Sequence, residues 1–210
     1  MMTLYDCATA PSPRRARILL AEKGIAHATV QVDLGSREQM GEDFRRINPQ
    51  CTVPALRTEE GELLTDNAAI AAYLEAHRPD PPLLGRTPIE KAQVASWNWR
   101  MEFEGLLAVA ESLRNSSPRM VDRALPGPRN YAQIPELAQR GLARVQDFFV
   151  MLDERLAGSA FVAGEQFSIA DITAVVAVDF ARVVKLKPGD AHPHLQRWRA
   201  EMAQRPAMAL

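Results

Sequence analysis

The feature that most constrains this chain is a stretch that can be neither helix nor strand. Arg78 to Pro88 contains Pro79, Pro81, Pro82, Pro88 and Gly85. Each proline lacks an N–H, and the residue before it is pushed toward extended backbone. The stretch therefore reads as a stiff linker. It divides the 210 residues into halves of different pattern, 1–78 and 89–210, joined by 79–88.

The first half alternates short strands and helices. Thr3–Cys7 reads as a strand, broken by Pro11 and Pro13. Arg14–Lys23 reads as a helix, with Gly24 suited to the position just past its end. Ala28–Val32 is β-rich, Glu38–Arg46 is a short helix closed by Asn48-Pro49, and Thr52–Arg57 is a strand begun by a proline. Glu59-Glu60-Gly61 suits a hairpin turn into Glu62–Leu64, and Asn67–His77 is helical. The order β-α-β-α-β-β-α is an α/β layer pattern. The second half shows no strand pattern. Ile89–Leu113, Pro135–Leu156, Ile169–Val184 and Pro193–Met202 read as helices, and Asn115–Tyr131 as a loop with some helical turn.

A formal charge of −1 gives no global field toward nucleic acid or an anionic membrane. No apolar run reaches the roughly 20 residues of a spanning helix, and no secretory signal is visible. Cys7 and Cys51 provide neither a disulfide framework nor a zinc site, so no metal is expected and a reducing, cytoplasmic setting is the default. Ser168 and Asp171 resemble a capping box at the head of an almost wholly apolar helix, which makes Asp171 a structural acid.

Four segments, in order and at matching separations, resemble the glutathione transferase superfamily over essentially the full length. They are Ser12-Pro13-Arg14-Arg15-Ala16-Arg17-Ile18 with Glu22–Ile25; Asn48–Leu56; Leu64–Ile70 with Tyr73–Glu75; and Phe167–Ile172. The resemblance implies a thioredoxin-like N-terminal domain that binds glutathione. It also implies an all-α C-terminal domain that binds a small hydrophobic electrophile, a homodimer, and no cofactor beyond glutathione as co-substrate.

The reaction so implied needs a thiolate, and an ordinary cysteine thiol titrates near 8.5, mostly neutral at pH 7. Ser12, before Pro13, is placed where a hydroxyl could donate to the sulfur, or where it simply caps the helix. Thr9 is the second candidate donor. The resemblance makes Val53-Pro54 a cis bond whose Val53 backbone pairs with glutathione. It gives Asp66 the glutamyl ammonium and Asn67 the carboxylate, although both residues also suit an ordinary helix cap. Gln50 and Thr52 occupy the loop where relatives often carry a basic residue. Trp97, Arg100, Met101 and Glu104 fall at i, i+3, i+4 and i+7, one helical face assigned to the second-substrate pocket; such stripes are also commonly core. Two further readings stay open: a partner-binding regulator without catalysis, and a glutathione-dependent thiol or peroxide reductase.

Overall fold

A computed structural model describes residues 1–210 and divides them into two compact units. The first comprises Met1–Pro81 with Pro126–Arg129 and Leu210; the second comprises Pro82–Leu125 and Asn130–Ala209.

The first unit is built on β1 (Met2–Asp6), α1 (Pro11–Glu22), β2 (His27–Gln31), α2 (Glu42–Ile47), β3 (Ala55–Arg57), β4 (Leu63–Thr65) and α3 (Asn67–His77). The strands lie in the order β2-β1-β3-β4. β1 and β2 are parallel, which demands a crossover, and α1 is that crossover. β3 runs antiparallel to β1, and β4 to β3. One face carries Tyr5 and Ala55, packed with Val32 and with Phe44 of α2. The opposite face carries Leu4 and Leu56, which pair across the strands and are fully buried. Ile18 and Leu20 of α1 and Ile70 and Leu74 of α3, two helices that pack on each other, are likewise fully buried.

Two details were invisible in the pattern. The expected 38–46 helix splits into a 3-10 turn, Glu38–Met40, and α2, with extended Gly41 between them. Lys23, just past α1, is fully buried. Its ammonium has three N–H groups and meets three acceptors: Glu75 at 2.7 Å, the Arg78 carbonyl at 2.7 Å and the Pro81 carbonyl at 2.8 Å. A charge removed from water is tolerable only when so completely matched. Gly24, with φ +59°, turns the chain away from α1.

The second unit is helical: α4 (Pro88–Arg100), a π turn (Met101–Leu106), α5 (Leu107–Ser116), α6 (Pro135–Ala157), α7 (Ile169–Phe180) and α8 (Pro193–Met202). The expected 89–113 helix is thus continuous, but widened in its middle. α7 is the central rod, buried from Ile169 to Val178. Two glycines let neighbours close in on it and on each other. A Cβ on Gly105 would lie 2.8 Å from the Phe148 ring and 2.9 Å from the Ala177 Cβ. One on Gly141 of α6 would lie 2.6 Å from the Ser112 amide nitrogen of α5. Ser168 and Asp171 form the capping box at the head of α7. Asp171 Oδ1 accepts from the Val162 N–H at 2.9 Å and Trp198 Nε1 at 3.2 Å; Oδ2 accepts from the Ser168 N–H at 3.0 Å and Ser168 Oγ at 3.2 Å. Burial pushes this carboxyl up to about 6 against the pull of those donors. No helix is long and apolar enough to cross a membrane.

Candidate functional site

Strand register gathers the candidate residues of the first unit at one end of the sheet. Tyr5 pairs with Ala55, and Ala55 with Thr65. One step further along each strand lies a loop: Cys7–Ala10 after β1, Val53-Pro54 before β3, and Asp66 after β4.

The first loop is held by its own polar network. Arg17 pairs with the buried Asp6 and donates to the carbonyls of Cys7 at 3.3 Å and Ala8 at 3.0 Å. Gln31 bridges Asp6 and the Ala8 N–H at 2.9 and 3.0 Å. α1 then starts at Pro11, three residues earlier than its apolar pattern suggests. The cap position falls on Ala10, which has no side chain to cap with. Ser12 is therefore inside the helix and does not cap it, which removes one of its two expected roles. With prolines at 11 and 13, Ser12 carries the only N–H of the first three helical positions, and that N–H has no partner. Its Oγ accepts from Arg15 Nη2 at 3.2 Å and from Asn67 Nδ2 at 3.0 Å. Thr9 is exposed, and its hydroxyl meets only Cys7 Sγ at 3.6 Å.

The Val53-Pro54 peptide is cis. Val53 lies outside the strands, and neither its N–H nor its C=O has a partner. Half-buried without bonds, such groups are normally satisfied by something else. Upstream, Asn48 Nδ2 donates to the Thr52 carbonyl at 2.8 Å and to Thr52 Oγ1 at 3.2 Å, and Asn48 Oδ1 accepts from the Gln50 N–H at 3.0 Å. The Gln50 side chain is exposed.

Asp66 caps α3: Oδ1 accepts from the Ala68 and Ala69 N–H groups at 2.9 and 3.0 Å. Its backbone, at φ 63° and ψ 163°, lies in a region nearly reserved for glycine. Strain of this kind persists only where the surroundings over-determine it, and it collects at ligand clamps. The side chain of Asn67 is engaged within the protein. Its amide is turned to Ser12, donating to the carbonyl at 3.1 Å as well as to Oγ.

The stripe assigned to the second substrate lies in the helical unit and does not act as one face. Val94, Met101, Gly105 and Ala108 form the inward side of this long helix, and Met101 is fully buried there. Met101 is therefore core and lines no pocket. Trp97, Arg100 and Glu104 flank that inner stripe, half-buried. The guanidiniums of Arg100 and Arg155 each lie over the Trp97 ring, 4.7 Å from its centre, and Arg100 pairs with Glu104 at 3.1 Å. Glu104 also borders a cleft of about 260 Å³ with Arg144, Asp147, Phe148 and Met151. Cys7 and Cys51 are both buried, which does not favour an exposed reactive thiolate.

A mixed four-stranded sheet carrying a cis-proline at one end, followed by an all-helical unit, defines a thioredoxin-like domain joined to a helical domain. Residues 9–77 match the family described as glutathione S-transferase, N-terminal domain, and residues 117–206 match its C-terminal domain. Glutathione S-transferase 2 of Saccharomyces cerevisiae is 32% identical over 210 residues, spanning 99% of this chain and 88% of that protein. The crystal structure of a glutathione S-transferase domain-containing protein from Marinobacter aquaeolei superimposes with a TM-score of 0.89 at 34% identity, over 98% of this chain and 99% of that one. A probable elongation factor 1-gamma of Arabidopsis thaliana is 31% identical over 187 residues, 86% of this chain but 42% of that protein. The chain belongs to the glutathione S-transferase superfamily.

Proposed function

We propose that this protein binds glutathione at the sheet end of its first unit and adds the glutathione thiolate to a small electrophile. The observation that carries the reading is the unpartnered Val53 N–H and C=O beside the cis Val53-Pro54 bond. A donor and an acceptor on one residue are what a peptide backbone pairs with, and the cysteinyl residue of glutathione offers the complement. The second oxygen of Asp66 is left for the glutamyl ammonium, and the Asn67 N–H at the head of α3 for its carboxylate.

The chemistry then depends on the sulfur. Lowering its pKa by about two units from 8.5 requires roughly 2.7 kcal/mol in favour of the anion. A hydroxyl donating to a charged acceptor supplies about 1.5–3 kcal/mol, and a helix N-terminus about 0.3–1 kcal/mol. The Ser12 hydroxyl and the Ser12 N–H at the head of α1 can provide both; Thr9 is the alternative donor. With an activated aryl halide, the carbon–sulfur bond forms, the carbon–halogen bond breaks, and halide leaves. Recognition of the electrophile is assigned to the helical unit, at Trp97, Arg100 and Glu104. No metal or further cofactor is required by this scheme.

The test is a titration of bound glutathione by thiolate absorbance, in the parent and in Ser12→Ala. The parent is expected to lower the thiol pKa and the variant to restore much of it. An unchanged value in Ser12→Ala removes Ser12 from the mechanism and transfers the role to Thr9. A second reading, a partner-binding subunit without catalysis, is favoured by two observations: the cap position before α1 is Ala10, which carries no hydroxyl, and Asp66 is already engaged as a cap. A folded protein that fails to bind immobilised glutathione supports it.

A further inference from the structure

We propose that Asn67 is a positioning residue that, with Arg15, fixes the Ser12 hydroxyl as a donor to the glutathione sulfur. This rests on the reading that the sulfur lies beside Ser12.

A serine hydroxyl has two lone pairs and one proton. Arg15 can only donate, and its Nη2 lies 3.2 Å from Ser12 Oγ. An asparagine amide can present either end, but here the Ser12 backbone carbonyl decides. That carbonyl only accepts, so the amide atom 3.1 Å from it must be nitrogen. The same nitrogen is 3.0 Å from Ser12 Oγ, and its two hydrogens serve the two oxygens. Both lone pairs of Oγ are then occupied, and its proton must point elsewhere. Without this arrangement a hydroxyl at the second helical position is free to rotate and spend its proton on a nearby acceptor. The arrangement also draws electron density from the oxygen, which makes the O–H a stronger donor. The charged side chain in contact with Ser12 is Arg15; Arg14 lies on the same helix, and Asp66 precedes Asn67 at the head of α3. Asn67 is thus not available to hold the glutamyl carboxylate through its side chain; its work is done through Ser12.

Asn67→Asp inverts one partner at almost unchanged volume: a donor becomes an acceptor, and the Ser12 proton is drawn to it. Three readouts separate the possibilities: the pKa of the bound glutathione thiol, the affinity for S-methylglutathione, which has no thiol, and the pH profile of kcat with an aryl halide. Asn67→Asp is expected to raise the bound thiol pKa as far as Ser12→Ala does. Each unit of that rise is about tenfold less thiolate below the pKa. The kcat deficit should disappear above pH 9, where the thiol ionises unaided. In the Ser12→Ala background, Asn67→Asp should change the thiol pKa no further, because its partner is gone. A shift that persists undiminished in that background would mean a plain charge effect and overturns the proposal. So does an unchanged pKa in Asn67→Asp when Ser12→Ala has raised it. If Ser12→Ala itself leaves the pKa unchanged, Ser12 is not the donor and this proposal is overturned while glutathione binding stands; if the parent binds neither ligand, the functional reading itself fails. Asn67→Ala provides a neutral second variant, for which a smaller rise in the same direction is expected and none overturns the proposal.

Discussion

Asp171→Asn tests how the helical unit is held together, and its expected outcome changes with pH. The native carboxyl accepts four hydrogen bonds, two on each oxygen, at the head of the buried α7. The asparagine oxygen can keep the Val162 N–H and Trp198 Nε1. Its NH2 must then face the Ser168 N–H, leaving that buried donor without a partner, at a cost of about 1–3 kcal/mol. Against this stands the charge. Burial raises the Asp171 carboxyl from 3.8 to about 6 in the folded protein. Protons therefore bind the native state more tightly than the unfolded one. That stabilisation is complete below pH 3.8 and is lost as pH rises through about 6. The loss amounts to about 3 kcal/mol, since each unit is worth about 1.4 kcal/mol. Asparagine does not titrate and does not suffer it. Urea unfolding of parent and variant, at fixed protein concentration and pH 4, 5, 6 and 7, measures the difference free of the other titrating groups. Asp171→Asn is expected to be less stable than the parent by about 1–3 kcal/mol at pH 4, and to gain on it by roughly 2.4 kcal/mol by pH 7, the unfolded carboxyl being already more than half ionised at pH 4. A gap that stays constant, or widens toward neutral pH, would show that the four donors outweigh burial and would refute the reasoning.

Other perturbations have simpler outcomes. Gly141→Ala puts a methyl 2.6 Å from the Ser112 amide nitrogen and 2.8 Å from the Ala108 carbonyl, both backbone that cannot step aside. α5 and α6 must separate, and thermal unfolding should show a loss of about 1–3 kcal/mol; an unchanged midpoint would mean that the helices slide freely. Trp99, Phe103 and Leu107 are exposed at four-residue intervals, with the first two rings stacked 5.5 Å apart. A homodimer formed through this stripe is expected, and Phe103→Glu should yield monomers by sedimentation. A parent that is already monomeric at micromolar concentration excludes the dimer. Thr9→Ala should leave the bound thiol pKa within experimental error if Ser12 is the donor, and raise it if Thr9 is.

Much of the architecture was readable along the chain because it depends on local chemistry. Prolines and a glycine between residues 78 and 88 forbid regular structure wherever they are placed. The apolar spacing of Asn67–His77 and Pro193–Met202 yields helices with those bounds in the structure. Ser168 and Asp171 meet because a capping box joins residues three positions apart. Shifts appeared where local preference is weak or packing overrides it. The strand expected over Thr52–Arg57 shortens to Ala55–Arg57, since Val53-Pro54 has no ladder partner. The long 89–113 helix widens at Met101–Leu106, where Gly105 seats against Phe148 and Ala177.

The candidate site divides along the same line. Sequence by itself determined which residue types were present and in what order: hydroxyls at 9 and 12, a proline at 54, an acid and an amide at 66 and 67. It could not show what each side chain does, because hydrogen bonds join residues far apart in the chain. Ser12 and Asn67 lie 55 positions apart, and only the folding of α3 beside α1 makes one the other's donor. The same holds for Lys23, which no periodicity distinguishes from a solvated helix end until Glu75, Arg78 and Pro81 close around it. Met101 and Glu104 are three residues apart, yet one is core and one borders a cleft, because neighbouring helices decide which side of the π turn is inward. Order and composition are properties of the covalent chain; donor, acceptor, buried and exposed are properties of its neighbours.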